Sequence, residues 1–193
     1  HLKSNKVNVI KILPGGVVTA KDTAEIQLDE KGEFVRNPEE DIVKVAVVER
    51  HQGTGNVACG FLKGYGIKAG AVALSIAHDS HNIIVVGVSD EEMEFAVNSL
   101  IAQEGGMVLV KEGKVIESMP MPIAGLMSDQ SGEWVDEKLT AIHAKAYEEL
   151  GIAGDVEPVM TLCFMSLAVI PEVKLTDMGL FDVTTFSFIP VEA

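Results

Sequence analysis

Two short apolar runs limit the possible folds most tightly: "AVALSIA" at 71–77 and "IIVVGV" at 83–88. Each has the length of a strand, and neither alternates apolar with polar residues. A strand that is apolar at every position belongs to a sheet covered on both faces. The covering elements are legible further along the chain. Met93, Ala96, Val97, Leu100, Ile101 and Glu104 fall at helical spacing, with a Ser89–Glu92 capping box in front and Gly105 as the stop. A second helix is predicted over 133–150, with Val135, Leu139, Ile142, Ala146 and Leu150 on one stripe and Gly151 behind it. The expected fold class is therefore α/β of the mixed α+β kind. It is a single domain over 1–193, with a mixed β-sheet packed by two main amphipathic helices.

The remaining segments fit around that frame. Residues 7–13 and 17–28 read as strands on either side of the Pro14-Gly15-Gly16 turn signal. Residues 29–41 form a charged connection turning at Asn37-Pro38, so 1–41 is expected to supply lead-in strands. "IVKVAVVER" (42–50) is a strand of high β propensity. Glycines at 53, 55, 60, 64, 66 and 70 make the next stretch too flexible for a helix, and irregular loops with a bulged strand are expected there. No Walker spacing occurs, and no GxGxxG directly follows a strand. A hairpin over 107–119 turns at Glu112-Gly113 and leads into a proline-rigid loop. The tail from Pro158 mixes apolar stretches with Pro171, and its start suits helix or strand equally.

Composition narrows the function classes. Fifteen basic residues against 29 acidic ones give a net charge of −14, a field that repels phosphate backbones and anionic lipid. No nucleic acid and no membrane is expected as a partner. No apolar run reaches the roughly 18 residues of a membrane span, and "HLKSNKVNVIKIL" is no signal peptide. The chain opens on His1, so residue 1 is expected to be a cut point inside a longer protein. Two cysteines, Cys59 and Cys163, suit a reducing, cytoplasmic setting better than a disulfide framework. Both stand among apolar neighbours and read as buried, inert thiols.

The densest polar cluster, His78, Asp79, Ser80, His81 and Asn82, lies between the two apolar runs. An offset of three sends two side chains of an extended segment to opposite faces. His78 and His81 could share an ion only if the chain turns between them, and Asp79-Ser80 has the chemistry for a turn. His1, His51 and His143 are distant in sequence, and neither HExxH nor a PCxxC pair is present. No metal is expected on this chain alone. Ser80 lacks a nucleophile elbow. Two readings stay open: a polar turn without chemistry, or a loop at a strand end that hydrogen-bonds a ligand.

Residues 42–185 as a whole carry a resemblance. The stretch from "VVERHQGTGNVACGFLKGYG" through "AHDSHNIIVVGVSDEEMEFAVNSLIAQEGGMVLV", then "MPIAGLMSD" and "IPEVKLTDMGLFDV", resembles the C-terminal region of bacterial adenine deaminases of the amidohydrolase superfamily. Residues 1–41 match more loosely. The resemblance implies that the complete enzyme is a metal-dependent hydrolase of purine salvage, converting adenine to hypoxanthine and ammonia. In that family a (β/α)8 barrel of the same polypeptide holds a binuclear iron or manganese centre. That barrel and its His-x-His ligand motif are absent from this chain, so no catalytic residue and no metal ligand carries over to it. What the resemblance implies here is an inactive part of a homo-oligomeric enzyme, presenting His78, Asp79, Ser80, His81 and Asn82 toward the barrel's active site. A structural or oligomerisation module and a free-standing small-molecule-binding domain are the alternatives.

Overall fold

The two apolar runs sit in the middle of an eight-stranded sheet, where their pattern requires them. The structure, a computed structural model, describes residues 1–193. In chain order it forms strands β1 (Lys6–Ile12), β2 (Thr19–Glu25), β3 (Gln27–Leu28), β4 (Phe34–Val35), β5 (Ile42–Val48), β6 (Val57–Lys63), β7 (Ala71–Leu74) and β8 (Ile83–Gly87). Helix α1 (Asp90–Ala102) is followed by β9 (Gly106–Lys111) and β10 (Lys114–Pro120). Helices α2 (Gly132–Glu148) and α3 (Pro158–Cys163) precede β11 (Val173–Thr176), β12 (Gly179–Asp182) and β13 (Ser187–Phe188). The main sheet has the order β10-β9-β7-β8-β5-β6-β1-β2. Its pairs are antiparallel except β1 with β6, which makes it mixed.

Side-chain alternation along β5 divides the core in two. Val43, Val45 and Val47 face the larger cluster, covered by α2, α3 and the small sheet β11-β12-β13. Ala46 faces the opposite side, where α1 lies across β7, β8 and β9. Small residues let α1 come close there. A Cβ on Gly87 would stand 2.7 Å from Met93 Cγ and 2.8 Å from Ala71 Cβ. Ser89 caps this helix by accepting from the Glu92 amide. Ser131 does the same for α2 through the Trp134 amide. The β9–β10 hairpin turns at Glu112-Gly113, both left-handed (φ 52° and 67°), the pairing a tight hairpin turn needs.

Several details depart from expectation. The glycine-rich segment holds a regular strand: β6 pairs with β5 in unbroken register from Ile42↔Lys63 to Val48↔Val57, without a bulge. The expected strand 17–28 breaks at Ile26, and β3 leaves the main sheet to pair with β4 inside the charged connection. Ile101 is 56% exposed rather than part of the buried face of α1. Cys59 is exposed, because alternation turns it to the side where neither α1 nor the N-terminal segment covers the sheet. The tail opens as α3 and continues as an antiparallel meander. No helix is long and apolar enough to cross a membrane.

Candidate functional site: a polar loop at one end of the sheet

Strand register gathers the polar cluster and its neighbours. Val48 pairs with both Val57 and Ile83, and Leu74 pairs with both Ile84 and Met107. The connections 49–56 and 75–82 therefore leave the sheet at the same end as the start of β9. Met119 pairs with Met107, so the loop after β10 emerges there too.

The chain turns sharply through residues 78–82. His78 N donates to Cys163 O at 2.8 Å, and His81 N donates to Ala77 O at 2.7 Å. His81 takes a left-handed backbone, φ 53°, which histidine adopts more readily than most residues. The turn brings the two imidazoles together edge to face, with ring centroids 5.1 Å apart. Phe164 backs His78 at 4.8 Å. Asp79 and Ser80 stand exposed at the tip, and Asn82 is buried at the foot. Burial, followed by the adjacent His78 and Arg50, holds the His81 imidazole below its ordinary pKa. Its Nδ1 is buried without a hydrogen-bond partner.

Two residues that spacing in the sequence does not single out, Arg50 and His51, hold this loop. Arg50 Nε donates to His81 O at 2.6 Å, and its terminal nitrogen donates to Ala124 O at 2.9 Å. The Arg50 amide donates to Asn82 Oδ1 at 3.3 Å. His51 Nε2 lies 2.7 Å from Ser80 O; a carbonyl only accepts, so the proton is on Nε2. Ser75 Oγ donates to Gly125 O and accepts from Gly106 N, tying the loop after β10 to the sheet. Gly125 is left-handed at φ 72°, and a Cβ there would stand 3.0 Å from the Arg50 guanidinium. Glu49 in turn fixes residues 51–54, accepting from the amides of Thr54, Gln52 and His51. These bonds, that from the Thr54 amide foremost, pull its carboxyl down to about 2.

The arrangement is a rigid platform of hydrogen-bonding groups. Its imidazoles, carboxylate and hydroxyl can orient a planar heterocycle or a water held elsewhere. It is not a metal site of its own, since no three His, Cys, Asp or Glu side chains come together anywhere in the chain. It is not a nucleophile site either. The only hydrogen bond at Ser80 Oγ comes from the Asn82 amide, at 3.5 Å. The Cys163 thiol is pushed up to about 12 by burial. Partial burial also raises the Cys59 thiol.

A family model described as the adenine deaminase C-terminal domain matches residues 16–187. "Adenine deaminase 2" of Desulfotalea psychrophila is 68% identical over 192 residues, 100% of this chain and 33% of the relative. "Adenine deaminase" of Ligilactobacillus salivarius is 50% identical over 192 residues, again 100% of this chain and 33% of the relative. "Adenine deaminase 2" of Carboxydothermus hydrogenoformans is 49% identical over 189 residues, 98% of this chain and 33% of the relative. The chain spans about a third of the length of the curated relatives it matches. A family model matching most of its length, and relatives this similar over nearly all of it, place the chain in the adenine deaminase C-terminal domain family.

Proposed function

We propose that this chain is one domain, residues 1–193, of a cytoplasmic, homo-oligomeric adenine deaminase of the amidohydrolase superfamily. The complete enzyme hydrolyses adenine to hypoxanthine and ammonia in purine salvage. The (β/α)8 barrel of the same polypeptide carries the chemistry and holds the binuclear iron or manganese. The residues of this domain do not fit that metal, because no three potential ligands converge. Its own contribution is to turn His78, Asp79, Ser80, His81 and Asn82 toward the barrel's active site.

The observation that carries this reading is the bracing of the loop. Arg50, His51 and Cys163 spend hydrogen bonds on its backbone, leaving the side chains of Asp79 and Ser80 exposed. A polar turn without chemistry does not need a half-buried arginine and a histidine to hold its carbonyls. Active-site hydrogen-bond groups work through such preorganisation.

The test is an adenine deamination assay with metal analysis on this chain and on the complete polypeptide together. Ammonia release and bound metal are expected with the complete polypeptide only. Deamination by this chain alone, or a complete polypeptide inert toward adenine, contradicts the reading.

A further inference from the structure

An apolar rim lies open beside the polar loop. Val169, Met178, Phe186 and Phe188 are 70%, 67%, 75% and 55% exposed. The Phe181 ring joins two of them, with centroids 5.3 Å from Phe186 and 5.2 Å from Phe188, and Val169, Met178 and Phe188 line one cleft with Phe181. Single exposed apolar side chains are ordinary, but a continuous patch with a polar border marks a contact surface. Between rim and loop runs a cleft of about 410 Å³, lined by Asp79, Ser80, Ser166, Asp177, Met178 and Phe188 among others. Ser166 is only 6% exposed, and its hydroxyl has no hydrogen-bond partner.

We propose that this cleft and its rim seat the catalytic barrel of the complete deaminase. The inference rests on the reading of the chain as that enzyme's C-terminal domain and names the surface through which the two bodies meet. Two observations select the occupant. This chain accounts for 33% of the two relatives from Desulfotalea psychrophila and Ligilactobacillus salivarius, so about two thirds of such a polypeptide has to pack somewhere outside it. The cleft also shares Asp79 and Ser80 with the loop assigned to the active site. A body that receives the tip of the loop therefore covers Met178 and Phe188 as well. The matching surface is an apolar element laid on the rim, flanked by a hydrogen-bond donor, preferably cationic, for Asp79 and Asp177.

The test uses Met178→Asp and Phe188→Asp in the complete deaminase, with Ile101→Asp on α1 as an equally exposed control. A new carboxylate on an exposed side chain leaves this domain folded but disrupts an apolar contact. Both rim variants are expected to lower adenine turnover at least tenfold and to split a single calorimetric transition into two. The control keeps parental behaviour. Parental turnover and one transition in both rim variants overturn the inference. So does loss of an oligomer at parental turnover, which assigns the rim to a second copy instead. His78→Ala and His81→Asn, measured alongside, separate the two levels. If they lower turnover while the rim variants do not, only the docking surface is wrong; if they too are silent, the active-site reading falls.

Discussion

Arg50 and His81 are joined through the backbone: the guanidinium Nε donates to the His81 carbonyl at 2.6 Å. The same side chain reaches the Ala124 carbonyl at 2.9 Å, so one cation spans two loops that the sequence separates by more than forty residues. His81 and Ala124 are both left-handed, at φ 53° and 59°. The arginine thus holds two backbone conformations that are unfavourable for residues with a Cβ.

Removing that clamp has a predicted cost. Hydrogen bonds to a charged group contribute about 1.5–3 kcal/mol, and Arg50 is only part-exposed. Arg50→Ala is expected to lower stability by about 2 kcal/mol in urea denaturation. Arg50→Lys recovers less than half of this, because an ammonium cannot reach both carbonyls as a planar fork does. Parental stability in Arg50→Ala counts against the clamp.

Lys174 predicts a pH dependence. It is 0% exposed on β11, and its Nζ donates to Val17 O at 2.9 Å. Burial draws the ammonium down to about 8, against about 10.4 for an unfolded lysine. The folded state therefore binds this proton less tightly than the unfolded chain does. The resulting destabilisation is complete below about pH 8 and fades as the pH climbs toward about 10.4. Lys174→Met abolishes the effect. Relative to that variant, the parent is expected to gain about 2–3 kcal/mol between pH 7 and pH 10, measured by urea denaturation. A difference that stays flat with pH contradicts the assignment.

Asp182 predicts a slope of the same sign in the acid range. Its carboxylate accepts from the Thr184 hydroxyl at 2.6 Å and from Lys21 Nζ at 3.0 Å. These bonds, the Thr184 hydroxyl first, hold it far below the usual carboxylate range. A depressed carboxyl contributes stability above its unfolded value of about 3.9, and the contribution is lost as the pH falls toward the folded value. Asp182→Ala is expected to cost about 1–3 kcal/mol at pH 7. The gap between thermal melts of parent and variant should begin to narrow only as the pH falls below about 4, and should still be open at about pH 3.

What could be read in advance follows the range of the interactions. β8, α1 and the β9–β10 hairpin announce themselves because their signals are local: an unbroken apolar run, a serine cap three residues before a glutamate, a Glu-Gly turn. Cys59 misleads because Ala58, Phe61 and Leu62 surround it in sequence, while alternation along β6 turns it to the uncovered side. Glycine content hides β6 itself. Gly60 packs where a Cβ would lie 3.5 Å from Leu175, a contact set by the far end of the chain. At the site, the five residues 78–82 are visible as a cluster, but their braces are not. Arg50 and His51 arrive through the pairing of Val48 with Ile83, which no spacing in the sequence records.

The claim at the centre of this account is that the braced loop serves the barrel's active site. Its most direct measurement is adenine turnover by His78→Ala and His81→Asn in the complete deaminase, with melting temperature and metal content recorded on the same samples. Asparagine tolerates the left-handed backbone at 81, so that variant removes the imidazole without straining the turn. Losing one aligned active-site hydrogen-bond group lowers rate by about 10²–10³, whereas a surface turn changes stability by less than about 0.5 kcal/mol and leaves rate alone. The account predicts a fall of that size in turnover at unchanged melting temperature and metal content. Near-parental turnover in both variants would contradict it.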